Sequence, residues 1–219
     1  KDNRIKVKLI NIDKEQNYKI YIISNGRLYT DRIHDTAVML DNKIIEGPSF
    51  QLRKGSRDHI FNFRAKDNIV FTKGTPRKLR NLNGSVLSLL TGGAGNHNYW
   101  HWLFDVLPRF GLCSKLINLN KIDYFLLPSL LKNFQGETLD CLKIPKHKRI
   151  SSKKFRHIKT KELIITDHPV MITGNATKDH QNTPKWISLW LKNNFLNKNT
   201  ITSKNTKNRI YIDRSETNS

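Results

Sequence analysis

The feature that most constrains the fold is a change of hydrophobic period near Gly74-Thr75-Pro76. Ahead of it, Ile5, Val7 and Leu9 alternate with Lys6 and Lys8, the two-residue repeat of a half-buried strand. Residues 18–23 read as a second strand. Asn25-Gly26, two residues tolerant of positive φ, predicts a tight hairpin with 27–30 as the returning strand. Residues 37–40 and 43–46 flank Asp41-Asn42 as a further pair, closed by Gly47-Pro48. Behind the change, helical periods alternate with short continuous apolar runs, which is an α/β pattern. Residues 86–90, 122–127, 163–166 and 209–213 are expected as strands. Residues 99–116 and 130–142 are expected as helices, as is a segment opening at Pro184 with Thr183 as its cap. Strand and helix units joined by crossovers predict a largely parallel sheet covered on both faces. Residues 1–70 thus read as a small antiparallel β-rich subdomain ahead of an α/β region.

The charge narrows the partners. Lys and Arg number 39 against 18 Asp and Glu, leaving a formal +21, and such a field attracts polyanions: nucleic acid, anionic lipid, acidic glycan or nucleotide phosphates. The lysines are dispersed among Asn and Ile. Their densest run, Lys146, Lys148, Arg149, Lys153, Lys154, Arg156, Lys159 and Lys161, reads either as a solvated face or as a membrane-docking surface. No run approaches the roughly 18 apolar residues of a membrane span. Cys113 and Cys141, each in an apolar helical pattern, are expected as reduced, buried thiols. A cytoplasmic location is therefore expected, with peripheral contact at the inner face of the membrane.

Most of the chemistry is concentrated between Gly92 and Arg109. Residues 86–90 run into Gly92-Gly93-Ala94-Gly95 and then into the Tyr99 helix, so a flexible turn falls where a parallel strand ends and ligands collect. Glycines there admit close backbone approach, and a helix N-terminus favours phosphate or sugar oxygens. The spacing is not a Walker loop, and Asn98 stands where the last glycine of a dinucleotide fingerprint belongs. In the helix, His101, Asp105 and Arg109 recur at i, i+4 and i+8 as one polar stripe opposite Trp102, Leu103, Val106, Leu107 and Phe110. Polar groups on so apolar a helix need partners or a cleft. An imidazole beside a carboxylate can take a proton from an attacking hydroxyl, or the two can form an internal pair that fixes the helix. Pro108 removes the bond to the Phe104 carbonyl and is expected to kink the helix, aiming Arg109 separately. His97 and His101 are also four apart, yet Asn98 replaces the glutamate a zinc-protease helix needs, so no metal is expected.

The string Asn98-Tyr99-Trp100-His101-Trp102-Leu103-Phe104-Asp105-Val106-Leu107-Pro108-Arg109, following a Gly-rich turn, resembles the hallmark of glycosyltransferase family 61. Gly47-Pro48-Ser49, Gln135-Gly136-Glu137-Thr138-Leu139 and Arg209-Ile210-Tyr211-Ile212-Asp213-Arg214 agree with it, although Asp213 stands where the family often has Ser. The resemblance implies a GT-B-like two-lobed α/β fold. In it, residues 71–208 would form the N-terminal Rossmann-like, acceptor-side lobe and 209–219 the start of a donor-binding lobe that is otherwise missing. It further implies inverting transfer from a nucleotide sugar to a glycan hydroxyl in capsular or surface polysaccharide synthesis. Asp105, or else His101, would be the general base. Arg109 and Arg214 would contact donor phosphate, and His97, Asn98, Gly93 and Gly95 the acceptor or sugar. No tightly bound cofactor and no specific nucleic acid are expected, and a metal is unnecessary. Two rival expectations remain: a basic polyanion-binding module, motivated by charge alone, and an inactive truncated paralogue.

Overall fold

The computed structural model describes residues 2–12, 16–31, 35–54, 59–62, 64–72, 77–90 and 98–196. Among these residues eleven strands form one mixed sheet: β1 (Ile5–Asn11), β2 (Asn17–Ser24), β3 (Arg27–Thr30), β4 (Asp35–Leu40), β5 (Lys43–Ile44), β6 (Phe50–Lys54), β7 (His59–Asn62), β8 (Arg80–Ser88), β9 (Tyr124–Leu127), β10 (Arg149–Ser151) and β11 (His157–Thr166). The expected strands β8, β9 and β11 are parallel, and β10, which the sequence did not announce, extends them in the order β10-β9-β8-β11. The last strand in this order is the spine of the molecule. On the side away from β8, β11 pairs antiparallel with both β2 and β3, so the antiparallel third and the α/β remainder share one sheet.

That arrangement overturns the expected Asn25-Gly26 hairpin. Asn25 does take a φ of 54°, but its N–H donates to Lys161 O and the Thr160 N–H donates to Gly26 O. β2 and β3 therefore run on in one direction, β2 along 162–166 and β3 along 157–159. A ten-residue neighbour offers more ladder bonds than a lone hairpin could close between its own arms. The glycine serves close approach instead, since a Cβ on Gly26 would lie 2.6 Å from that of Leu163. The hairpin at Asp41-Asn42 forms as read, with Asp41 at φ 54° between β4 and β5.

The alternation in β1 is also not a buried face. Among the described residues β1 pairs only with β2, at the edge of the sheet, and leaves Val7 49% and Leu9 64% exposed, while Ile10 is its one buried side chain. Elsewhere both faces are covered. On one, Ile20, Leu87, Phe125, Leu127 and Ile164 pack against Trp102, Val106, Leu107 and Ile187 of the helices. On the other, Ile23, Val86, Leu126 and Leu163 pack against Val38, Leu40 and Phe50 from the antiparallel strands. Each such side chain contributes about 1.5–3 kcal/mol on burial.

The helices are α1 (Tyr99–His101), a π turn at Trp102–Val106, α2 (Leu107–Ser114), α3 (Asn133–Cys141), α4 (Ala176–Gln181) and α5 (Lys185–Phe195). The N-cap of α5 is Pro184, whereas Thr183 Oγ1 donates to His180 O; the cap thus falls one residue later than expected. Cys113 is buried, and burial pushes its thiol up to about 12, an inert group. Cys141 departs from the expectation: it is the last residue of α3 and is exposed. Among the described residues, no helix is long and apolar enough to cross a membrane. The strand expected at 209–213 lies outside them.

Candidate functional site

The site is built from the first turn of the α1 run and from α4. Asn98 has extended backbone, and its Oδ1 accepts from the N–H groups of Trp100 at 2.9 Å and His101 at 3.2 Å. An Asn at this position satisfies donors that the first helical turn leaves free. Its oxygen is committed to the helix, so a ligand contact from Asn98 falls to the amide nitrogen.

Downstream, the helix widens into a π turn, closed by the Leu107 N–H donating to Trp102 O. Pro108 has no N–H to give to Phe104 and would crowd that carbonyl in a regular helix. The wider turn absorbs this demand where a sharp kink was expected. It also changes the stripe, because each π residue turns by less than the roughly 100° of an α residue. His101 and Asp105 still meet, Nδ1 donating to Oδ2 at 2.6 Å. Arg109 does not share their direction.

The three polar residues consequently have three different surroundings. His101 is partly exposed and borders a cavity of about 420 Å³ lined also by Asn98, Trp100, Thr177, His180 and Gln181. Asp105 lies behind it at 1% exposure, and its Oδ1 meets no partner among the described residues. Arg109 is inside the protein at 1% exposure, which corrects the expectation of an open cleft for donor phosphate. Its Nε donates to Asp105 O, and its Nη1 donates to Thr166 O at 3.1 Å, Thr166 Oγ1 at 3.3 Å and Asp167 O at 3.4 Å. Burial lowers its guanidinium to about 10, partly offset by Asp105 and Asp167. It clips the helix to the end of β11.

His180 was not singled out by sequence reading. Its ring lies 5.3 Å from that of His101 and 4.7 Å from that of Trp100, which stacks on Phe104. Thr177, His180 and Gln181 recur at i, i+3 and i+4 and so share one face of α4. That spacing was the available signal, hidden because α4 has six polar-rich residues and no apolar stripe. The helix is positioned by Asp179, whose carboxylate accepts from the N–H groups of Ile172 and Thr173 and from Thr173 Oγ1. Beneath it, His168 Nδ1 accepts from the N–H groups of Val170 and Met171, and burial holds the imidazole well below its ordinary range.

His101, Asp105 and His180 could hold a metal ion, since one ligand atom from each lies within 4.8 Å of the others. Two imidazoles and a carboxylate suit zinc or a similar transition ion. His97, Gly93, Gly95 and Arg214, the remaining expected site residues, lie outside the described residues. Comparison of the chain with protein-family models, with curated proteins and with solved structures yields no match.

Proposed function

We propose that the cavity beside His101 is the acceptor side of an inverting glycosyl-transfer site, as the resemblance to glycosyltransferase family 61 implies. The observation that carries this reading is the His101–Asp105 pair, one member at the cavity and the other sealed behind it. The surroundings suit a sugar: Trp100 supplies an apolar ring, and Asn98, Thr177 and Gln181 supply amide and hydroxyl groups for sugar hydroxyls. His101 is the base in this reading and Asp105 its support, the reverse of the order of preference drawn from sequence, because His101 borders the cavity and Asp105 lies behind it.

In the proposed reaction an acceptor hydroxyl gives its proton to His101 Nε2 as its oxygen attacks the anomeric carbon of a nucleotide sugar. The bond from that carbon to the diphosphate breaks on the opposite face, so configuration inverts. The nucleoside diphosphate leaves with the bonding electrons and needs no proton, since its charge calls for cations or helix dipoles. Asp105 holds the ring through Nδ1 and offsets the positive charge that the proton brings.

The test is a panel of nucleotide sugars and oligosaccharide acceptors incubated with the protein, with transfer products read by mass spectrometry. Product formation that depends on His101 supports the reading. Transfer at the wild-type rate by His101→Ala would remove His101 as the base. A second reading rests on the His101, Asp105 and His180 cluster: a site for a divalent transition ion. Stoichiometric zinc binding lost in His180→Ala, with His101 transfer chemistry absent, would favour it.

A further inference from the structure

A second cavity, independent of the proposed transfer site, lies against the sheet where residues 152–156 join β10 to β11. It encloses about 800 Å³. Arg77, Lys78 and Arg80 border it from the segment that enters β8, and Lys153, Lys154 and Arg156 border it from the connection. Among the described residues, no acidic side chain lines it. Two basic triplets remote in sequence thus converge on one half-open space, which the dispersed distribution of lysines along the chain did not foretell.

Several of these cations are braced. Arg156 donates from Nε to Thr30 O and from Nη2 to Asp31 O. The Arg80 guanidinium and the Lys154 ammonium both lie over the Phe155 ring, at 5.6 and 6.0 Å from its centroid. The cavity also holds hydroxyls at the carboxyl ends of two parallel strands, Ser151 closing β10 and Ser129 just beyond β9. Open α/β sheets collect ligands at such ends. Ser129 is the second, independent observation. It is 1% exposed, lines the cavity, and its Oγ meets no partner among the described residues. A buried hydroxyl without a partner is unfavourable, and an oxyanion would supply the missing acceptor.

We propose that this cavity is a binding site for a compact phosphate-bearing ligand, a phosphate ester or a diphosphate, held by the two basic triplets with Ser129 donating to a phosphate oxygen. A half-open cavity of this size fits a small molecule. Among the described residues, its lining contains no aromatic side chain on which bases could stack. Like charges gathered around one space repel until an anion enters, so binding weakens steeply as salt rises.

The experiment is calorimetric titration of the protein with inorganic pyrophosphate at about 0.1 M salt, where charges within about 10 Å still interact. Saturable one-to-one binding is expected. The exposed pair Arg80→Gln with Lys154→Gln should weaken it at least tenfold, and Ser129→Ala several-fold, with unchanged circular dichroism. The pair Lys115→Gln with Lys192→Gln, cations outside the cavity, should leave the affinity within twofold. Absence of saturation, or equal loss in the two double variants, overturns the proposal in favour of a diffuse field. Parallel arms use vesicles containing phosphatidic acid and a single-stranded oligonucleotide. Binding of either that depends on Arg80 and Lys154 and is displaced by pyrophosphate agrees with the shared phosphate chemistry. Binding of either that pyrophosphate fails to displace, with no pyrophosphate site of its own, overturns it.

Discussion

His101 and Arg109 lie on the same helical run and, read as spacing, on the same stripe, yet one borders a cavity and the other is sealed under the sheet. The contrast shows two solutions to a polar residue on an apolar helix. His101 keeps an open side and leans on one carboxylate. Arg109 has no opening and directs Nη1 to main-chain carbonyls at the end of β11 and to the Thr166 hydroxyl, and Nε to Asp105 O. The first arrangement leaves a group free for chemistry. The second fixes the helix that carries it.

This difference is best broken by removing each side chain in turn. His101→Asn, whose amide can still donate to the buried Asp105 carboxylate, should lower the proposed transfer by about 10²–10⁴-fold, the usual contribution of a positioned base, while shifting stability by less than about 1 kcal/mol. Product formation by mass spectrometry and thermal melting read the two effects separately; a large stability loss with full turnover would turn the assignment around. Arg109→Ala should do the opposite. It leaves the Thr166 and Asp167 carbonyls without their donor and opens a cavity, costing about 3 kcal/mol, or about 6–12 °C in Tm for a chain of this size. Arg109→Lys should recover little of it, since an ammonium cannot reproduce the guanidinium fork. A melting temperature unchanged in Arg109→Ala would show that the clip is dispensable.

Much of this was legible in the residues, and the failures share a cause. The parallel run of β8, β9 and β11, the hairpin at Asp41-Asn42 and the meeting of His101 with Asp105 follow from local periods that tertiary contacts left intact, whereas β10, three residues in a basic stretch, shows no such period. Asn25-Gly26 carries the same turn chemistry as a hairpin but is captured by β11, a partner more than 130 residues away, which no local pattern reveals. The fate of Arg109 depended on how the helix would absorb Pro108. A kink was foreseeable, but the π turn that rotates the later residues was not. His180 escaped because a six-residue helix has too few positions to display a period. The basic cavity escaped because its two triplets are separated in sequence by more than 70 residues.

Gly111 sharpens the comparison on the Arg109 side. A Cβ there would lie 2.7 Å from the Trp190 ring, where α2 meets α5. Gly111→Ala should therefore destabilise by about 1–3 kcal/mol through overpacking, although alanine is the better helix former. A stabilised variant in urea unfolding would mean that α5 swings away without cost. The same substitution should leave ligand binding at His101 within twofold if the two ends of the run are as independent as their surroundings.

The smallest effect concerns the point where the two ends communicate. His168 is buried near Arg109, His180 and His101, and desolvation together with those neighbours holds it neutral well below its ordinary range. Two N–H groups donating to Nδ1 fix the same neutral form. In the unfolded chain the imidazole takes a proton below about pH 6.5. The unfolded state then binds more protons than the folded one, so the contribution is complete above that pH and is lost as pH falls beneath it. The slope approaches about 1.4 kcal/mol per pH unit for one group. Asp167 acts in the other direction at lower pH, because burial raises its carboxyl and the folded state retains that proton more readily. Urea unfolding of the wild type and of His168→Gln at pH 7.5, 6.5 and 5.5 isolates the imidazole. The gap between the two curves should change by about 1 kcal/mol across the lowest interval, and a constant gap would mean that His168 gains its proton inside the folded protein, from the open His101 side.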